Sequence, residues 1–193
     1  MAQDRRAHVV KIDAVRTDEL DAWLPDPQIR TRHAREAAVD PDALWAAAAA
    51  VRLDETGTIG RLVRWRIPGV PAGETFAGLL AHDPFTVLAR GERWSVSGLC
   101  GRIWTLARDY PSIESAAAFA AFDEPRSVRV LFAHWVQEGE DATSTIVSEA
   151  RVAPTDIIAA ARLRALWLVV GPFKRLIGAE PLALAAAQAQ AAG

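Results

Sequence analysis

From residue 85 to residue 152 the chain alternates between short runs of β-branched or aromatic residues and short polar breaks. Phe85 to Ala89 predicts a strand, Arg90-Gly91-Glu92 a turn, and Trp94 to Trp104 a longer strand, a hairpin pattern. Val128 to Gln137 and Thr143 to Val152 repeat it around the polar turn Glu138-Gly139-Glu140-Asp141. Gly98 and Gly101 inside one predicted strand suggest a bend, a bulge or a close neighbour. An earlier strand, Ile29 to Val39, alternates less regularly.

Helical signals lie between and after these strands. Asp40-Pro41-Asp42 combines a capping carboxylate, proline at the first helical position and an acid in the first turn, so a helix should run from there to about Arg52. Shorter helices are expected at Thr17 to Leu24, Ile59 to Arg66, Thr75 to Ala81 and within Ser112 to Phe122. Pro154-Thr155-Asp156 introduces the last element, Ile157 to Val170, which Gly171-Pro172 should kink before residues 173–190 continue helically. The order is strand, helices, consecutive hairpins, terminal helix. It predicts an α+β fold in which an antiparallel sheet is covered on one face by the terminal helix. The alanine-rich end, 183–192, is a helix former with little to pack; 181–193 reads as a C-terminal tail and 1–28 as an N-terminal extension with a short helix.

Composition narrows the function classes. The 193 residues suit one core, and 51% hydrophobic against 24% charged residues describes a globular chain. A net charge of −2 gives no support to a nucleic-acid binder or a general binder of anionic membranes. Met1 to Lys11 lacks an apolar signal core, and the run Ile157 to Gly171 is too short and too charged to span a bilayer, so a cytoplasmic protein without an integral membrane segment is expected. The single cysteine, Cys100, excludes an intrachain disulfide. Histidines 33, 82 and 134 show no metal-ligand spacing, and the glycines form no dinucleotide fingerprint, so no metal and no cofactor is expected.

Three stretches resemble the START-like superfamily, also called SRPBCC, to which the major birch pollen allergen, lipid-transfer START domains and bacterial polyketide cyclases belong. Val39-Asp40-Pro41-Asp42-Ala43-Leu44-Trp45 is similar to the family's strand ending before a proline-capped helix. Gly98-Leu99-Cys100-Gly101-Arg102-Ile103-Trp104 resembles a Gly-x-x-Gly-Arg-aromatic-Trp segment of a bacterial branch, with Ile103 in place of the aromatic. Ser144 to Val152, followed by Thr155-Asp156 and Trp167, resembles that branch's Thr-Glu-Thr-Arg-Val segment, with Ser148 and Ala150 in place of threonines. The resemblance covers roughly 29–178, within a domain drawn at 29–180. It implies a helix-grip fold, in which a curved antiparallel sheet wraps around a long C-terminal helix with short helices after the first strand. It also implies a cavity between sheet and helix. It implies no single activity, because the fold hosts carriers, receptors and enzymes.

Candidate site residues follow from the strand faces. Glu149 and Arg151 share a face with Thr145 and Val147, while Ile146, Ser148, Ala150 and Val152 form a smaller, mostly apolar face. A Glu149 turned inward needs a partner, and Arg102 is the candidate, since arginine can make two parallel bonds to a carboxylate. The plainer alternative is an exposed cross-strand pair. His134, on the face of Val130 and Phe132, is a candidate base or cavity hydrogen-bonder, or else a structural histidine at a strand edge. Cys100 reads as a small core residue unless it is exposed. Seven tryptophans is a high number, and Trp94 and Trp104 share a face with Gly98, Cys100 and Arg102 if the strand is regular. Rings bordering a space that glycines leave open suit a cavity wall, and equally a filled core. With Trp135 and Trp167, the candidate ligand-binding set is Trp94, Arg102, Trp104, His134, Trp135, Glu149 and Trp167.

These features lead to a carrier or sensor of a hydrophobic or amphipathic small molecule, such as a lipid, polyketide or aromatic, with a homodimer left open. One alternative is a cyclase or aromatase using His134 and Glu149 as acid and base. Another is a protein-interaction module with a solid core.

Overall fold

The computed structural model describes residues 19–67, 69–105, 110–171 and 174–192, excepting the side chains of residues 66 and 174–177. Five strands form one curved sheet: β1 (Ile29–Ala37), β2 (Thr86–Arg90), β3 (Trp94–Gly101), β4 (Val128–Glu138) and β5 (Ser144–Pro154). Their order across the sheet is β1-β5-β4-β3-β2, and every neighbouring pair is antiparallel. The first strand thus pairs with the last, and both predicted hairpins are present. Helices α1 (Pro41–Ala50), α2 (Thr58–Arg66) and α3 (Phe76–Leu79) follow β1, and α4 (Ala116–Ala121) precedes β4. Helices α5 (Ile157–Val170) and α6 (Lys174–Ala192) end the chain. This is an α+β architecture consistent with the helix-grip fold.

The capping chemistry is as the residues suggest. Asp40 accepts from the backbone N–H of Asp42 (2.8 Å) and Ala43 (3.3 Å), with Pro41 at the first turn of α1. Asp156 starts α5 by accepting from the N–H of Ala159 (2.7 Å) and also holds the N–H of Arg126 (2.7 Å). These bonds keep its carboxyl below the usual carboxylate range.

Three expectations are corrected. β3 ends at Gly101, whose φ of 128° lies where a side chain is strained, so the alternation does not carry on to Arg102 and Trp104. Of the expected helix at Thr17 to Leu24, residues 17 and 18 lie outside the described residues, and Glu19–Ala22 forms a single 3-10 turn. The alanine-rich end is packed rather than loose. Leu182, Ala185, Ala186 and Ala189 of α6 are buried, and three of them join Leu44 of α1 with Val136 and Ile146 of the sheet in one core. Small side chains let α6 lie close to the sheet. At Gly178 a Cβ would come within 2.1 Å of the His33 ring of β1. The Gly171-Pro172 break falls between α5 and α6, and Pro172 lies outside the described residues.

Unlike many antiparallel sheets, this one is covered on both faces of its central strands β3, β4 and β5, while much of β1 is exposed. On one face Leu131, Trp135, Val96 and Val147 pack with Leu20 and Leu24 of the N-terminal segment and Phe119 of α4. On the other, Leu99, Val130 and Val152 pack with Leu79 of α3 and Leu163 of α5, and Val63 of α2 lies against them. Helix α5 carries apolar residues outward as well as inward, and Ile157, Leu168 and Val169 are exposed. Among the described residues no helix is long and apolar enough to cross a membrane.

Because α6 closes the core, Leu182→Ala should lower unfolding free energy in urea by about 2–5 kcal/mol. A loss below about 1 kcal/mol would show that the terminal helix is dispensable.

Candidate functional site

The face of the sheet beneath α2, α3, α5 and α6 does not meet these helices everywhere. Between them lies a cavity of about 420 Å³, within the usual size range of small-molecule sites. The sheet supplies Ile29, Val130, Phe132, Ile146, Ala150 and Val152 to its wall. The helices supply Trp45 of α1, Val63 of α2, Phe76 of α3, Trp167 of α5 and Leu182 of α6. Among the described residues no Arg, Lys, Asp or Glu side chain lines it.

The polar side chains in the wall are Thr31, His33, Ser95, His134 and Ser148. Ser148 Oγ lies 3.1 Å from His134 Nε2. The His134 ring is partly accessible, but what it faces is the cavity and not the outer surface. Withdrawal from water disfavours the imidazolium and pushes the His134 pKa down to about 4, so the ring is neutral near pH 7 and both donates and accepts.

The opposite face carries a separate charged cluster. Glu149 and Arg151 are both fully buried. Glu149 accepts from Arg151 Nε at 2.7 Å and from Arg30 Nε at 2.9 Å, and Arg151 Nη1 reaches Asp21. The ion pairs tie the N-terminal turn to the sheet at β1 and β5. Beside them the Arg32 guanidinium stacks 5.3 Å above the Trp135 ring.

This geometry sorts the candidate residues. His134 and Trp167 line the cavity. Trp94, Trp135 and Glu149 lie on the far face. Trp104, beyond the break at Gly101, packs against the apolar cluster on the cavity side, with the Arg162 guanidinium 5.9 Å above its ring. The expected Glu149–Arg102 pair is not formed. Gly101 stands opposite Val128 and Val128 opposite Pro154, five positions past Glu149, or roughly 16 Å along a strand. Nor do His134 and Glu149 converge as acid and base: His134 is in register with Ser148, and the next residue points through the sheet to the other side. Gly98 does not open the cavity, since Phe119 of α4 occupies the space beside it. Cys100 is buried, and burial pushes its thiol up to about 12, far from a reactive thiolate.

Residues not singled out by sequence are Trp45, Phe132, Ser95, Ser148 and His33. The usable signal for Ser148 was its membership of the smaller, mostly apolar face of β5. Among the described residues no cluster of three or more His, Cys, Asp or Glu side chains could hold a metal ion.

Fold and site together describe an α+β protein, consistent with the helix-grip fold, with a largely apolar cavity between sheet and helices. Among solved structures, the chain is similar to TTHA0849 from Thermus thermophilus, with 13% identity over 86% of this chain and 99% of that one, at a TM-score of 0.33. It is also similar to the Zhui aromatase/cyclase from Streptomyces sp. R1128, with 12% identity over 86% and 98% and a TM-score of 0.37. At these values neither an activity nor a residue role passes to this chain. No family model and no curated protein matches it.

Glu149→Ala should cost about 3 kcal/mol in urea unfolding, because it removes a buried partner of Arg151. The double substitution Glu149→Leu with Arg151→Met should cost less than the single one, and an equal or larger loss would contradict a charge-compensating role. His134 makes a second prediction. Its pKa is lower in the folded state, so the unfolded chain binds more protons between about pH 6.5 and 4, and stability falls as pH drops through that window. The slope from this group approaches 1.4 kcal/mol per pH unit. His134→Gln should flatten the unfolding-against-pH curve there, and a curve parallel to that of the parent would show that the ring titrates normally.

Proposed function

We propose that the protein binds a hydrophobic or amphipathic small molecule in the cavity between the sheet and the helices, as a carrier or sensor. The observation that supports this reading is a cavity of about 420 Å³ whose walls are almost wholly apolar. Burying roughly 300 Å² of apolar ligand surface contributes about 7 kcal/mol before the costs of association, enough for useful affinity once those are met. His134 and Trp167 are the ligand-contacting members of the candidate set, joined by Trp45, Phe132 and Ser148. Trp94, Trp135 and Glu149 act from behind, by stiffening the sheet that forms the wall.

A cyclase-type reaction would have to rely on His134 without Glu149, and a base with a pKa near 4 is weak at neutral pH. A pure interaction module needs no cavity. The carrier reading uses what the wall contains.

N-phenyl-1-naphthylamine, an uncharged dye that brightens in apolar surroundings, is the probe. Saturable uptake at one site is expected. Ala150→Trp, which places a ring in the cavity, should weaken uptake at least about tenfold with little change in melting temperature. Equal uptake by the two proteins, or none by either, would contradict the reading.

A further inference from the structure

The polar groups of the cavity stand in one row. His33 of β1 is in register with Ser148 of β5, Ser148 with His134 of β4, and His134 with Ser95 of β3. All four side chains reach the cavity, so a hydrogen-bonding band crosses four adjacent strands. With strands about 4.8 Å apart, it spans roughly 14 Å. The row is bordered by Ile146 on one side and by Phe132 and Ala150 on the other. Thr31, in register with Ala150, adds one hydroxyl at the edge. Two members of the band are held in place. The His33 ring lies against Gly178 of α6, where any side chain would collide with it, and the Ser148 hydroxyl lies within bonding distance of His134.

Hydroxyls and a neutral imidazole can each donate and accept, so the band can match a hydroxyl, ether or carbonyl oxygen placed along an apolar body. It offers no arginine or lysine to a full negative charge. Among the described residues no Arg, Lys, Asp or Glu side chain lines the cavity, and a carboxylate drawn into it loses its hydration without gaining a guanidinium or ammonium counter-ion. Resting on the ligand-binding reading above, we propose that the ligand is an uncharged amphiphile. Its oxygen bonds to the row His33–Ser148–His134–Ser95, and the site discriminates against carboxylates of the same length. The wall selects by polarity at mid-height, and the apolar surfaces to either side select by size.

The test is displacement of N-phenyl-1-naphthylamine from the full chain by 1-decanol and by decanoate at pH 8, where decanoate is ionised. Decanol should bind at least about tenfold more tightly than decanoate. Ser148→Ala and Ser95→Ala, at unchanged melting temperature, should each weaken decanol about three- to tenfold, the range expected for one lost hydrogen bond, and leave decanoate nearly unaffected. Two variants on either side of His134 guard against one of them failing to fold. Decanoate binding as well as decanol, or decanol binding unchanged in both variants, would overturn the ligand class and leave the cavity reading standing. No dye uptake would overturn the cavity reading, and the ligand class with it.

Discussion

The two-residue period of β5 determines most of what this protein can do. Along Ile146 to Val152 successive side chains pass to opposite faces of a sheet that is covered on both at this strand. Ser148 and Ala150 therefore open into the cavity, while Val147, Glu149 and Arg151 enter a closed, charge-bearing layer behind it. A slip of one residue in the register with β1 would send a carboxylate and a guanidinium into an apolar cavity and a serine into an ion-pair network. The ion pairs act against such a slip. Arg30 on β1, Glu149 and Arg151 on β5, and Asp21 in the N-terminal segment satisfy one another only in the observed register.

Covering both faces divides the labour among the remaining elements. Tryptophans 94 and 135, Phe119 of α4 and the N-terminal Leu20 and Leu24 make the far side solid. The near side is roofed by several separate helices that mix large side chains such as Trp45, Phe76 and Trp167 with alanines 48 and 49 and Gly178, and the gaps between these independent pieces leave space. A solid back and a spacious front make a rigid wall with room in front of it, which is what a preformed binding cavity requires.

Much of the architecture was legible in the chain because its signals are local. Polar turns mark both hairpins, and Asp40 and Asp156 cap helices where the residues place them. The assignment of faces was less legible. Both faces of β5 alternate acceptably, and a buried Glu149 looked like a cavity group because charge is costly without a purpose. Arg151, two residues on and on the same face, was in view, but Arg30 and Asp21 arrive through strand pairing and from an N-terminal segment more than a hundred residues distant in sequence, which no short window displays. Trp104 was placed with Trp94 by alternation, and the positive φ of Gly101 breaks that inference. The polar row was invisible for the same reason: its four members belong to four strands, and only the register lines them up.

The central claim is that the cavity holds one uncharged small molecule, and native mass spectrometry of freshly purified protein tests it most directly. The account predicts a folded species carrying one adduct, or taking up one equivalent of N-phenyl-1-naphthylamine, with any compound released by solvent being uncharged and amphipathic. A bare chain mass both before and after incubation with the dye would contradict it.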